Sequence, residues 1–444
     1  PTFIPSENKA ESSLICQSGD TRFFAVINYE DNYVQPLVLA ALRKCLPKDS
    51  YTLINDITEL PNLTDNFVQI GEYESIPFEH ILAHGTSSLA NTYIIRKALT
   101  RKHYLSNTVH NWVTKKSNSI LKHHVKTSCH FELDYAEFLE DAIIDAWDLL
   151  ESFSRNAGKA RNHREWWILK PGMSERGHGI RLFSSLEELQ TVFEEWETEE
   201  SSLDEIEKEE NNESLTSHFS LNLEKDSINN VVTSDLRHFI VQPYIHPPYL
   251  IQNNPQKFHI RTYVLAMGSL KVYVYHDMLA LFSQALYVPP WNESKDLSAH
   301  LTNTCLGRDN KEELVRLFWS LQIPEVLKKR AFAQICEITG EIFEAAARGM
   351  TVHFQTIPNV FEVFGLDFLL DETGKAWLLE INAFPDFQQT GEALREVVGE
   401  FWEAVVAHTI GMFFGYCQNI QNHISCSKMV LVNELKLHGG LNGS

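Results

Sequence analysis

Three residues late in the chain have the types and spacing to hold a metal ion. Asp367, Glu380 and Asn382 interrupt FEVFGLDFLLDETGKAWLLEINAFP, residues 361–385, which is otherwise largely apolar. Phe361 to Leu370 and Ala376 to Ile381 read as two strands, with Asp371-Glu372-Thr373-Gly374 as the turn between them. An ionised carboxylate in an apolar sheet is costly unless a counter-ion offsets its desolvation. A few hard oxygen ligands suit Mg2+ held jointly with phosphates. For this motif alone, a surface hairpin with its acids turned to water is the other reading.

Two further groups carry charge at regular spacing. In KFHIRTYVLA, residues 257–266, Lys257, His259 and Arg261 alternate with Phe258 and Ile260. Strand periodicity therefore sets the three polar side chains on one face, whether toward a ligand or toward water. Earlier, Lys170 ends the strand-like EWWILK, and a loop with Gly172, Gly177 and Gly179 runs to Ile180 before Arg181 to Phe183 resume a strand. Glycines let backbone N–H groups close on phosphate, and a lysine adds a point charge. Strands on both sides exclude the P-loop and the dinucleotide-binding fingerprint, each of which needs a following helix. No HExxH or CxxC occurs, and no Ser/His/Asp or Cys/His arrangement is apparent.

These groups need a sizeable scaffold, and 444 residues provide two or three domains. Residues 1–20 are a loose polar lead-in. Arg22 to Asn28, Asp31 to Cys45 and Tyr51 to Ile54 read as strand, helix and strand, the start of a small α/β domain. Ile94, Ile95, Ala98 and Leu99 suggest a helix with Arg96 and Lys97 at its edge. Leu133 to Ser154 predicts one amphipathic helix in which Tyr135, Phe138, Leu139, Ala142, Ile143, Ala146, Trp147 and Leu150 recur at i+3 and i+4, most of them core. Leu186 to Trp196 is helical, His238 to Ile245 and Leu270 to His276 are strands, Glu313 to Gly349 holds one or two helices, and Glu392 to Phe414 closes the fold. The end around His438-Gly439-Gly440 reads as frayed.

Composition narrows the partners. The net charge is −21, from 38 basic and 59 acidic residues. Residues 194–213 hold eleven acids and one lysine, whereas 96–126 hold eight Lys or Arg and no acid. The overall sign disfavours nucleic acid, while the basic stretch suits phosphate or an acidic peptide, or is simply a solvated face. Seven scattered cysteines point to reduced thiols in the cytosol or nucleus. No apolar run approaches ~20 residues, so no membrane span is expected. The start at Pro1, without Met or a signal-peptide pattern, suggests a piece of a longer protein.

In chain order the parts are Lys97, LKP-x5-GxGI, VQPYI, KFxxR, HLTN and FGLDF…LLEIN. From about residue 22 to 415 this series resembles the tubulin tyrosine ligase-like family, and within it a fungal P-body-associated branch with a preceding phosphatase-like domain. The resemblance implies an α/β (α+β) chain with the ATP-grasp fold. Its expected parts are a small α/β domain at 21–92, a central domain at 93–244 with a disordered acidic insertion at 197–234, and a C-terminal domain at 245–444 with the metal site. It implies that ATP and Mg2+ are cofactors. Lys97 and Lys170 would reach the phosphates, and Arg176, Gly177, Gly179 and Ile180 would cover them. Gln242, Tyr244 and Ile245 would form the adenine hinge. Lys257, His259 and Arg261 would lie at the nucleotide, with Lys257 and Arg261 catalytic at the γ-phosphate. Asn303 would lie at nucleotide and metal, and Asp367, Glu380 and Asn382 would bind Mg2+.

The implied reaction is ATP-dependent amide-bond formation on a protein tail, tubulin by resemblance, in the cytoplasm. The alternative is a nucleotide-binding pseudo-ligase working with mRNA-decapping factors in P-bodies. Two departures bear on the choice. The family's KFDxR reads KFHIR, with His259 for Asp. Its Y-R-x-G-x-x-R reads Tyr275-His276-Asp277-Met278-Leu279-Ala280-Leu281, so Leu281 replaces an Arg that would clamp an anion. Arg101, Lys102 and Lys115 are the nearby cations that could substitute.

Overall fold

A computed structural model describes residues 22–172, 179–198, 238–292, 296–302, 314–416 and 424–435. Arg176, Gly177, Asn303, the lead-in, the acidic insertion from residue 199 and the terminal His438-Gly439-Gly440 lie outside them. The described residues form two compact units, 22–90 with 399–416 and 424–427, and the remainder. Thus 399–416 and 424–427, expected in the C-terminal domain, belong to the same unit as the N-terminal strands.

In the first unit, β1 (Phe23–Asn28), β2 (Tyr51–Leu53), β3 (Phe67–Gly71) and β4 (Ser88–Ala90) pair in parallel in the order β2-β1-β3-β4. The helix Val34–Cys45 connects β1 to β2 and buries Val34, Val38, Ala41, Leu42 and Cys45, one stripe at i+3 and i+4 spacing. From the returning segment, Phe414 stacks on Phe23 at 4.4 Å and Trp402 meets Tyr29 edge-on.

The second unit holds two antiparallel sheets. The smaller comprises β5 (Cys129–Glu132), β6 (Trp167–Pro171), β7 (Arg181–Phe183) and β8 (His238–Pro243), ordered β5-β8-β6-β7. The larger has seven strands: β9 (Gln256–Met267), β10 (Lys271–Tyr275), β11 (Leu279–Leu286), β12 (Val315–Leu317), β13 (Phe361–Leu370), β14 (Ala376–Ala383) and β15 (Met429–Glu434). β9 is its centre, pairing with β13 along one edge and with β11 and then β10 along the other. The helix Glu325–Gly349 is single and long, and β12 with a short 3-10 turn precedes it. Among the described residues no helix is long and apolar enough to cross a membrane.

Two helices differ from the expectation. The basic segment makes a short helix only at Lys97–Thr100, extends at Arg101 (φ −99°, ψ 124°), and restarts at Lys102–Lys115. Residues 133–154 are not one α-helix. They form a 3-10 turn at Ala136–Phe138 and helices at Leu139–Ala142 and Trp147–Asn156. Hydrogen bonds from Phe138 N to Tyr135 O, Ile144 N to Asp141 O, Ala146 N to Ile143 O and Leu149 N to Ala146 O all span three residues. A three-residue turn stacks every third side chain in one row. The buried row is therefore Leu133, Ala136, Leu139, Ile143, Ala146 and Leu149, packed with Trp167, Phe183, Phe193 and Trp196. Tyr135, Phe138 and Trp147, members of the expected apolar stripe, are 62%, 50% and 71% exposed.

This periodicity sets opposite outcomes for neighbouring large residues. Leu139→Ala empties a buried site and lowers unfolding free energy by about 2–5 kcal/mol. Trp147→Ala changes it by about 0.5 kcal/mol or less. Urea titrations of both variants check this, and equal losses would contradict the three-residue row.

Candidate functional site

The two antiparallel sheets of the second unit border a cleft of about 550 Å³. From the smaller sheet come Lys170 and Gly172 at the end of β6, then Ile180, and Gln242, Tyr244 and Ile245 at the end of β8. β9 contributes Lys257, His259 and Arg261, the period-two face expected of that strand. The β13–β14 hairpin contributes Asp367, Glu380 and Asn382, and Asp367 and Glu380 are direct partners across it. Eleven of the sixteen residues expected at the site thus line one cavity: Lys170, Ile180, Gln242, Tyr244, Ile245, Lys257, His259, Arg261, Asp367, Glu380 and Asn382.

Lys97 and Gly179 are not among the lining residues. The Lys97 ammonium sits over the Tyr104 ring, 5.3 Å from its centroid. Gly179 takes the left-handed φ of 69° that favours glycine and precedes Ile180 at the wall. Thr100, Arg101 and Lys102 do reach the cavity, because the extended residue at Arg101 turns this corner inward. Lys115, at the far end of the restarted helix, is not in the lining. His300 and Thr302 enter from the HLT segment, and Asp386 and Gln389 from beyond β14. The helix break that brings Lys102 to the cleft has no Gly or Pro to mark it in the sequence.

Arg261 and Asp367 form the buried centre of the site. Arg261 donates from Nε to Oδ1 of Asp367 at 2.6 Å and from its terminal nitrogen to Oδ2 at 3.2 Å. A side chain at Gly365 would meet Pro385 Cβ at 2.8 Å and Arg261 Cδ at 3.3 Å, so only glycine leaves room for the guanidinium stem. Burial pushes Asp367 up to about 6, with Arg261 pulling it down and Glu380 adding to the rise. Glu380 behaves oppositely. Burial would raise it, but Lys102, Lys170, the Asn382 amide and Arg261 hold it down at about 2. Lys102 Nζ lies 3.9 Å from Glu380, and Asn382 donates to Glu380 at 3.2 Å.

The lysines carry strain of the same kind. Burial lowers Lys257 to about 7, and Lys170 adds to the fall. Burial also lowers Lys170. Lys257 donates to the Tyr244 hydroxyl at 3.1 Å, and that hydroxyl meets His300 Nδ1 at 2.9 Å. Lys170 donates to Gln242 at 3.3 Å. His259 is held neutral, its pKa lowered to about 3 by burial and by Arg261. Its Nδ1 bonds Thr302 Oγ1 at 2.5 Å, while its buried Nε2, 3.5 Å from Asp367, makes no hydrogen bond.

This donor set can take a polyanion with a hard cation. Among the described residues no group of three or more His, Cys, Asp or Glu side chains could hold a metal alone. Two carboxylates and an amide oxygen fit a Mg2+ that draws its remaining ligands from phosphates and water. The buried His259 Nε2 is a further polar atom at the site that makes no hydrogen bond.

Removing one side of the central pair leaves the other charge buried. Arg261→Leu is expected to cost about 3–5 kcal/mol, and adding Asp367→Leu to recover most of that loss. Urea unfolding of both variants reads this out. Equal stability of Arg261→Leu and the native protein would remove the pair from the core.

The tubulin-tyrosine ligase family matches residues 88–415. A probable tubulin–tyrosine ligase of Schizosaccharomyces pombe is 39% identical over 414 residues, covering 93% of this chain and 97% of that protein. The probable tubulin–tyrosine ligase PBY1 of Saccharomyces cerevisiae is 37% identical over 401 residues, 87% of this chain and 52% of that protein, so the chain spans about half of that relative. Among solved structures, the C-terminal domain of K. lactis Pby1, described as an ATP-grasp enzyme interacting with the mRNA decapping enzyme Dcp2, is similar with a TM-score of 0.67. It is 33% identical, and the match covers 94% of this chain and 99% of that one. The cleft between two antiparallel sheets is accordingly that of an ATP-grasp fold, and the chain belongs to the tubulin-tyrosine ligase family.

Proposed function

We propose that this protein binds ATP with Mg2+ in the cleft and acts as a carboxylate–amine ligase-like protein on a protein tail, with tubulin as the family's implied acceptor. The observation that carries the reading is the convergence of Lys170, Lys257 and Arg261 on the paired carboxylates Asp367 and Glu380. Lys170 and Lys257 would meet phosphate oxygens, with Lys102 in the place first expected of Lys97. Gln242, Tyr244 and Ile245 would hold the base. Asp367, Glu380 and Asn382 would hold Mg2+, which supplies charge neutralisation at the phosphates when bound. Arg176, Gly177 and Asn303 complete the expected set by resemblance.

In this chemistry a substrate carboxylate oxygen bonds to the γ-phosphorus and ADP leaves. An amine nitrogen then bonds to the acyl carbon, phosphate leaves and the amine loses a proton. The chain's part is orientation and charge: Lys257 and Arg261 stabilise the phosphoryl group as it moves. No protein nucleophile is required.

A second reading has its own observation. Leu281 on β11 pairs directly with His259 and is 1% exposed, so an apolar side chain stands where the family pattern has arginine. A nucleotide-binding module attached to decapping factors in cytoplasmic P-bodies needs ATP binding without that arginine. The neighbour described as interacting with Dcp2 supports this alternative.

One experiment separates the readings. The purified chain is given MgATP, tubulin and labelled tyrosine or glutamate, and both ADP and labelled tubulin are followed. We expect ATP binding with slow transfer, and a gain of roughly 10²–10³ in rate for Leu281→Arg, the usual worth of one such donor. Transfer at ~1 s⁻¹ or more by the native chain would exclude the module reading. Absence of ATP binding would exclude both.

The low pKa of Lys257 predicts a pH profile. Below about 7 the side chain is charged and meets phosphate, and above it the proton and the attraction are lost. ATP affinity should therefore fall as pH rises through about 7, and Lys257→Met should weaken binding and flatten this slope. Calorimetric titration across that range checks the sign.

A further inference from the structure

The outward side of residues 133–149 has a chemistry that the cleft does not use. Burial recurs every third residue except for the four-residue step from Leu139 to Ile143, and each step leaves two neighbours exposed. The exposed pairs are Asp134-Tyr135, Glu137-Phe138, Glu140-Asp141, Ile144-Asp145 and Trp147-Asp148. Four of these five pairs set a carboxylate beside a large apolar side chain. Tyr135 and Phe138 meet edge-on at 6.3 Å, while Ile144 is 61% and Trp147 71% exposed. Between 131 and 154 there are eight acids and no Lys, Arg or His. Large exposed apolar groups gathered on one segment and rimmed by polar residues are the pattern of an interaction site.

We propose that this ridge is a docking surface for an arginine-rich segment of a partner protein. A guanidinium is planar and weakly hydrated, stacks on aromatic faces, and pairs with carboxylates through a rigid fork. Each Tyr, Phe or Trp step of the ridge sets an exposed ring and an exposed carboxylate at adjacent positions. Apolar residues between the arginines would cover Ile144.

The charge balance argues against other occupants. A second copy of this chain brings a net −21, and the chain's own residues 194–213 bring eleven acids. Phosphate backbones and anionic membrane surfaces would be repelled in the same way. The surface lies apart from the cleft lining, so it is independent of the reading proposed for the cleft.

The test uses fluorescence anisotropy of a short labelled peptide of alternating arginine and leucine, and a matched peptide with citrulline for arginine. Citrulline keeps the shape and removes the charge. The native chain should bind the arginine peptide, more weakly as salt is raised, and should bind the citrulline peptide poorly. Phe138→Ser with Trp147→Ser should lower affinity on the order of tenfold or more, as removal of anchoring aromatics does. Glu137→Gln with Asp148→Asn should weaken binding and its salt dependence. All four residues are exposed, so melting temperature and ATP binding should stay at native values.

Equal affinity for the two peptides would overturn the role of charge. Unchanged affinity in the serine variant, or no binding by the native chain, would overturn the site. A native dimer seen by light scattering and dispersed by Trp147→Ser would assign the ridge to self-association instead.

Discussion

The bidentate pair of Arg261 with Asp367, closed off from water between β9 and β13, sets the terms for the rest of the site. Two opposite charges in an apolar sheet are tolerated only with good geometry and every remaining polar atom matched. That requirement fixes the register of β9 against β13, demands glycine at 365, and keeps the imidazole of His259 neutral beside the guanidinium. Glu380 then sits opposite Asp367, and its ionised state depends on the lysines across the cavity. The charged groups of β9 and of the β13–β14 hairpin are thereby held together at one point of the larger sheet.

Around the pair, cations outnumber anions. Arg101, Lys102, Lys170, Lys257 and Arg261 line the cavity against the carboxylates Asp367, Glu380 and Asp386. Burial lowers the proton affinity of both Lys170 and Lys257, and a neighbouring cation adds to each fall, Lys102 for Lys170 and Lys170 for Lys257. A protein gains no stability from such an arrangement. It makes sense as a site whose balance is restored by a bound polyanion, since perturbed groups gather where charge is to be met. The ATP-grasp fold and the family membership agree with that inference.

The departures from the family pattern act differently on the two halves of the expected reaction. His259 keeps a polar atom at the cavity wall, bonded to Thr302 on one side and without a partner on the other. It exchanges a charge for a neutral group in a site that stays cationic. Leu281 is another matter, since it is sealed in the sheet opposite His259 and offers nothing to an anion. In the proposed function, nucleotide binding would draw on groups that this chain retains, whereas acyl transfer would draw on the arginine that Leu281 replaces.

Sequence alone determined the hairpin with Asp367, Glu380 and Asn382, the polar face of β9 and the strand–loop–strand after Lys170. In each, period-two alternation or a turn tetrad is written locally, and strands repeat so regularly that side-chain direction follows from counting. The six motifs in order also carried the fold, because their sequence along the chain reflects connectivity. Tertiary structure decided three other matters. It chose Lys102 over Lys97 for the cavity, through one extended residue at Arg101 that no breaker announces. It returned 399–416 and 424–427 to the N-terminal unit, since an apolar helix does not specify which core it completes. It also turned Tyr135, Phe138 and Trp147 outward. The sequence pattern assumes a uniform turn of 3.6 residues, whereas the backbone interrupts it with three-residue bonds at Phe138, Ile144, Ala146 and Leu149, and these breaks rotate the buried row onto Leu133, Ala136, Leu139, Ile143, Ala146 and Leu149.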